Sequence, residues 1–257
     1  MKTSAHERGL ALVCALTLML AAMVIGVAVA RGAFVLLASA RNECDRDVAQ
    51  AAAEAALRDA EHDIAGAAGA PPDRVAHFGP AGGGAFTDDC GRGADDVGLC
   101  RARSPPAWQT LDLADADNPA LVPYGRFTGA TLAVGRGHAP AQAPAYVIER
   151  IAPAGATAEQ GSFYRVTAIG FGTRASTRVV LQSLVRLPPP AGGAGRGHGQ
   201  GDESDEGHDN GNDGAHGGDP SPARPPGRGP PGRRLPAGRI GWREIANWAE
   251  LHARAGP

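Results

Sequence analysis

Hydrophobic and polar positions along the chain fall into three regimes. From Leu10 to Ala30 every residue is uncharged and nearly all are apolar, and a second apolar stretch, Ala33–Ala40, follows Arg31-Gly32 without a loop. The 21 residues of the first run extend about 31 Å at the helical rise, the thickness of a bilayer's hydrocarbon core. Beyond it Ala49, Ala53, Leu57, Ala60 and Ile64 recur at helical spacing and form one apolar stripe. Glu54 and Arg58 add an i,i+4 pair on the same stretch. The pattern predicts one helix from about Leu10 to Ile64, ended by Gly66, Gly69 and Pro71-Pro72, with its stripe turned toward a sheet.

A loop-rich stretch follows, in which residues 67–120 keep no sustained period. Then come four β-rich runs separated by Gly, Pro and Ala turns: Arg126–Val134, Ala145–Ile151, Phe163–Phe171 and Thr177–Leu187. In the last, Val179, Leu181, Ser183, Val185 and Leu187 share one face, while Val180 and Leu184 make the other partly apolar. The last two runs form a hairpin around residues 172–175. The expected fold is α+β: a long amino-terminal helix packed on an antiparallel sheet of about four strands.

The third regime, residues 188–238, is low in complexity and too poor in apolar residues to offset the entropy of ordering it. Pattern resumes over 239–257, where Trp242, Ile245 and Trp248 fall on one helical face. A short amphipathic helix and a final strand joined after an inserted linker are equal alternatives there, and completing the core is its simplest role. The resulting divisions are 1–9, 10–66, 67–120, 121–187, 188–238 and 239–257.

Composition narrows the picture. With 37 Gly and 21 Pro among 257 residues, only part of the chain can build a packed head. The formal net charge of −2 argues against nucleic acid as a partner. Cys90 and Cys100 bracket a short polar loop, and a loop-closing pair in an exported segment reads as a disulfide. Zinc is the alternative, made poor by the lack of nearby cysteine or histidine partners. Asp88-Asp89 and Asp95-Asp96 lack EF-hand spacing and read as solvated loop charges. Arg46, Asp47, Glu54, Arg58, Asp59 and Glu61 read as a solvated helix face with some pairing to neighbouring subunits, not as catalytic carboxylates or a basic site. His198, His208 and His216, set among acidic residues, are weak candidates for a transition metal, with solvating composition the simpler account. There is no nucleophile elbow, phosphate-cradling loop or metalloprotease helix. No cofactor is expected, and function is expected from surfaces, not from an enzyme's reacting site.

Three accounts compete for the amino-terminal segment. A cleaved secretory signal would use the small residues Ala28-Val29-Ala30, but its apolar region is longer than usual. A lipoprotein box ending at Cys14 fails, since no hydrophobic region precedes it. A retained span with Lys2 and Arg8 as cytoplasmic anchors fits an orientation with the amino end inside.

Several segments then resemble, in order, the PilX-like minor pilins of type IV pili. They are a glycine followed at once by an apolar helix (Gly9-Leu10), DRDVAQAAAEAALRDAE (Asp45–Glu61), the cysteine-bracketed loop ending GLC (Gly98–Cys100), WQTLD (Trp108–Asp112), YVIERI (Tyr146–Ile151), and YRVTAIGFG with TRVVLQS (Tyr164–Gly172, Thr177–Ser183). The resemblance spans about Glu7 to Leu187. It implies a pilin fold, with a prepilin peptidase cutting after Gly9 on the cytoplasmic side and usually methylating Leu10. It implies a single-pass inner-membrane protein with a periplasmic head that later enters the pilus. Its implied partners are other minor pilins, the major pilin and a large tip adhesin, with adhesion and twitching motility dependent on it. Where most pilins carry a glutamate five residues after the cut, this chain has Cys14, which points to initiation and a tip position. A tip pseudopilin of a type II secretion system is the nearest alternative, and a secreted or anchored binding protein with a metal-binding tail is a further one. Mass spectrometry of the mature protein should find Leu10 at its amino terminus. A terminus at Arg31 would identify a removed signal instead.

Overall fold

The computed structural model describes residues 5–189 and 236–255. Its axis is the helix α1, Ala5–Ala65, 61 residues and so about 90 Å long. Gly66 ends it with φ of +76°, the left-handed conformation that closes a helix and that only glycine adopts cheaply. A short helix α2 (Pro72–His77) turns back beside the end of α1, with prolines at its start where an amide hydrogen is not needed.

Six strands make one mixed sheet: β1 (Leu99–Arg101), β2 (Val122–Pro123), β3 (Ala145–Ile151), β4 (Ser162–Phe171), β5 (Arg178–Leu187) and β6 (Gly238–Glu244). The spatial order is β1-β3-β4-β5-β6, with β2 pairing with β3. All neighbours are antiparallel except β1 and β3, which run parallel. The α+β pilin-like architecture is therefore present, with a sheet larger than about four strands. β4 and β5 form the expected hairpin, paired from Ser162–Leu187 to Phe171–Arg178.

One β-rich run forms no strand. Residues 126–134 are turns and irregular chain. Gly125 and Gly129 have φ of +80° and +72°, and a side chain on Gly125 would collide with the Ala130 carbonyl. The amide of Gly125 donates to the Asp59 carboxylate at 2.7 Å, and the Thr128 hydroxyl donates to the same group. Backbone geometry and this anchor override the β propensity of the side chains.

The stripe residues Ala49, Ala53, Leu57, Ala60 and Ile64 are all buried against the sheet, with Tyr146, Ile148, Tyr164, Val166, Val179 and Leu181 facing them. Small side chains let backbones approach closely here. A Cβ on Gly170 of β4 would lie 2.2 Å from the Ala49 carbonyl oxygen and 2.3 Å from the Ala53 nitrogen. The opposite sheet face carries a second core of Val147, Ile169, Phe171 and Val180, covered by Trp108, Leu113 and Leu121 and by Ile245 and Trp248. The two short helices over that face, α3 (Ala107–Thr110) and α4 (Trp248–Ala255), meet there. The Trp248 indole donates to the Trp108 carbonyl at 3.1 Å.

The carboxyl-terminal pattern thus resolves into strand and then helix. Trp242 lies on β6 and is half exposed, while Ile245 and Trp248 are buried. A single helix over 239–251 would have put all three on one face, but hydrogen bonding to the β5 edge claims residues 238–244 first.

A fully buried ion pair closes the end of the head. Arg74 donates from Nη2 to Asp63 at 2.6 Å and from Nε to both of its oxygens, while Nη1 reaches the carbonyls of Asp95 and Val97 at 2.9 Å each. The Tyr146 hydroxyl donates to Asp63 at 3.1 Å, and the guanidinium lies over the Phe127 ring at 4.0 Å. Burial, with the Asp63 carboxylate next in effect, pushes the Tyr146 phenol well above its ordinary value. Arg74→Leu leaves a buried carboxylate without its cation and should cost about 3–5 kcal/mol. Thermal unfolding of the detergent-solubilised chain measures this, and an unchanged midpoint would contradict the role given to the pair.

Candidate functional site

No residue of α1 from Leu10 to Cys44 is covered by the head; the first buried position is Asp45. Leu12, Leu16, Met19, Met23, Ile25 and Phe34 are each more than half exposed on this arm. One helix among the described residues, Leu10–Ala65, contains a segment long and apolar enough to cross a membrane. An isolated arm of leucine, valine and methionine is unfavourable in water by roughly 1.5–3 kcal/mol per large side chain. It has to be covered by lipid or by other apolar helices, and it is the main candidate surface of the molecule.

The residues singled out along it are in place on the helix. Gly9 belongs to the first turns and Leu10 is exposed. Cys14 is an exposed free thiol one turn further, and its carbonyl accepts a hydrogen bond from the Thr17 hydroxyl at 2.9 Å. Cys44, also free and exposed, stands where the arm meets the head. His198, His208 and His216 lie outside the described residues.

The joint between arm and head is built on Asp45. Its carboxylate accepts from the Thr173 amide at 2.6 Å, the Thr173 hydroxyl at 2.5 Å, the Thr177 hydroxyl, and Arg174 Nε at 3.2 Å. All four donors come from the turn between β4 and β5, so the hairpin is hung on the helix at this point. The threonine hydroxyls, then the Thr173 amide and Arg174, hold the carboxyl far below the usual aspartate range. A second anchor is Asp59, which holds the Gly125 turn, and a third is Asp63 with Arg74. Reading Asp59 as part of a solvated face is therefore corrected: it is buried, 3% exposed.

Most of the rest of that face pairs within the chain, Glu54 with Arg58 among them, while Asp47 is exposed. Arg46 meets Glu244 and Arg239 meets Glu61, both at 2.5 Å, so β6 is tied to α1 at each end. Asp45, Asp59 and Asp63 share a helical line with Ala49, Ala52 and Ala56, directly beside the stripe of Ala53, Leu57, Ala60 and Ile64, and that register is the signal that separates them from solvated acids.

On the far side of the head, Cys90 and Cys100 form a disulfide with Cα atoms 4.0 Å apart. It closes a loop between β1 and residues preceding it. Asp96 accepts from the Gly93 amide at 2.6 Å, Asp89 accepts from the Thr87 hydroxyl at 2.6 Å, and Asp88 lies 3.8 Å from Arg101. Among the described residues no three His, Cys, Asp or Glu side chains gather as a metal site. A buried carboxylate missed by pattern reading, Glu149 on β3, takes both arms of Arg165 at 2.8 and 2.9 Å and the Ala107 amide at 2.9 Å. It holds the α3 cover on the sheet.

Residues 8–58 match the family described as PilX N-terminal, and residues 78–187 match that described as type IV pilus assembly protein PilX C-term. Together the two matches cover more than half of the chain. No curated protein and no solved structure shows significant similarity to it.

The lowered Asp45 value carries a pH dependence of known sign. Its folded-state pKa lies below the unfolded value, so the contribution is full above about pH 5 and is lost as pH falls through and below about 4. Asp45→Asn should lower the unfolding midpoint at pH 7 and reduce the slope of stability against pH below 4. Melting curves from pH 3 to 7 test it, and parallel profiles for the two proteins would refute the linkage.

Proposed function

The chain belongs to the PilX family of type IV pilus assembly proteins, and on that premise we propose that this minor pilin acts in initiating pilus assembly and sits at the pilus tip. Its action is structural: the arm holds the subunit in the inner membrane with the head in the periplasm, then packs among the helices of other subunits. Prepilin peptidase would cut between Gly9 and Leu10, and the partners are other minor pilins, the major pilin and a large tip adhesin. Support for adhesion and twitching motility follows from that position.

The observation that carries the tip reading is Cys14, an exposed free thiol on the arm. Pilins that build a shaft place a glutamate at this station, which offsets the free amine of a neighbouring subunit inside the apolar filament core. A buried unpaired ammonium costs several kcal/mol. A subunit with a thiol there gives a following amine no partner, so it suits the end of the filament where nothing is stacked above it.

Labelling of the subunit along isolated filaments tests this directly. The unmodified protein should label filament ends, and Cys14→Glu should let some copies enter the shaft. Even labelling of the shaft by the unmodified protein would refute the tip position. Deleting the gene should remove surface pili and leave type II secretion intact; the opposite result would favour a secretion pseudopilin.

A further inference from the structure

Where the arm meets the head, a cavity of about 450 Å³ opens beside α1, lined by Arg41, Asn42, Asp45, His138, Thr173 and Arg174 among others. Three separate parts of the chain bring a cationic or protonatable group to it: the helix, the loop holding His138 and the β4–β5 turn. Its acid is already satisfied, since Asp45 takes both threonine hydroxyls, the Thr173 amide and Arg174 Nε. Asn42 is occupied as well, accepting from Arg174 Nη2 at 3.0 Å.

What remains is donors with no acceptor. Arg41 and His138 have no hydrogen bond or ion pair among the described residues, and Nη1 of Arg174 bonds nothing. Glu43 and Asp47 cannot supply the missing charge, because they project from the opposite side of α1. Arg41 has no counter-charge, and Arg174, whose Nε is paired with Asp45, adds its unused Nη1 beside it; donors gathered in this way form a ready site for an anion.

The position of the cavity selects which anion. Leu10–Ala30 fills the ~30 Å hydrocarbon core, and the headgroup layer beyond it adds roughly 5–7 Å on the side of the head. Arg31 and Arg41, ten residues apart and so about 15 Å along the helix, then bracket the headgroup layer on the side of the head. Ala38, below the arginine, gives the cavity an apolar lower wall continuous with the exposed arm.

From this we infer that the neck cavity holds the phosphate of an anionic phospholipid in the leaflet facing the head. The inference rests on the proposed retention of the arm in the mature protein. Arg41 and Arg174 contact the phosphate oxygens, His138 closes the rim, and the acyl chains descend along the apolar face of the arm. A lipid held in this way fixes the depth and rotation of the stored subunit before assembly. Replacement of lipid by neighbouring helices would release it.

Native mass spectrometry tests the site on the full mature chain, extracted in mild detergent and given equal phosphatidylglycerol and phosphatidylcholine. Retained phosphatidylglycerol should exceed phosphatidylcholine by about fivefold or more, the effect of one arginine at an anionic surface. Arg41→Gln and His138→Gln should each reduce that ratio, while Arg41→Lys should keep most of it. Millimolar inorganic phosphate should leave the lipid bound; displacement by it would show a site for free phosphate and overturn the lipid assignment. Equal retention of both lipids, or a ratio unmoved by Arg41→Gln, would also overturn it. The intact mass in the same spectra separates the two readings. A chain beginning at Leu10 with no lipid preference refutes the lipid site alone, and a chain lacking the arm refutes both.

Discussion

A single uninterrupted helix has to live in two solvents, and this constraint organises the molecule. Its first half is apolar on every side and stable only where lipid or other apolar helices surround it. Its second half is apolar along one alanine line and polar elsewhere, so it can form the spine of a water-exposed head. Nothing between Leu10 and Ala65 breaks the helix, although Gly26 and Gly32 lie within it. The arm and the head therefore share one axis, and Asp45 is the first buried residue at which the head is tied to it. A pilin moved from membrane to filament exchanges the first solvent while leaving the second unchanged, which requires the head to be fastened to the helix and not merely packed on it.

The fastening is polar. Alanine stripes allow close approach, as Gly170 against Ala49 and Ala53 demonstrates, but alanine contributes little burial energy per residue. Three aspartates on the same line supply direction instead. Asp45 takes the β4–β5 turn, Asp59 takes the turn at Gly125, and Asp63 takes Arg74 and Tyr146. Each is stationed at a different height on the helix and each binds a different part of the head. A one-residue rotation of α1 would withdraw all three from their donors together, so register is specified far more sharply than a stripe of methyl groups could achieve.

Much of this was legible in the sequence, and the illegible part has physical causes. The helix, its stripe and the strands Ala145–Ile151, Ser162–Phe171 and Arg178–Leu187 carry periodic patterns long enough to read. The paired cysteines announced their bond. Strands β1 and β2, with three and two residues, are too short to show a period. They exist only because β3 offers them an edge. Residues 126–134 failed in the other direction, since β-branched and aromatic side chains there are overruled by two glycines with positive φ and by Asp59. The acids of α1 were the subtler case. Composition makes Asp59 look like Asp47, and only their different angular positions relative to Ala49 and Ala53 tell a buried anchor from a solvated charge.

The same logic explains the carboxyl-terminal strand. The family match ends at residue 187, the last residue of β5, which would leave β5 as an open edge able to pair with any extended chain. Residues 188–237 separate it from β6, and closing about fifty residues of chain costs about 3–4 kcal/mol. Burial of Ile245 and Trp248, at roughly 1.5–3 kcal/mol for each large side chain, offsets that cost before the strand pairing and the ion pairs at Glu61 and Arg46 are counted. The new edge is itself guarded. Arg239 and Arg243 punctuate it, and Ile240 is the extra residue where the register with Leu184 and Val185 shifts. Charged side chains and a bulge make β6 a poor template for a further strand. The addition therefore seals the sheet on that side, and the uncovered apolar arm remains a surface through which this subunit can join others.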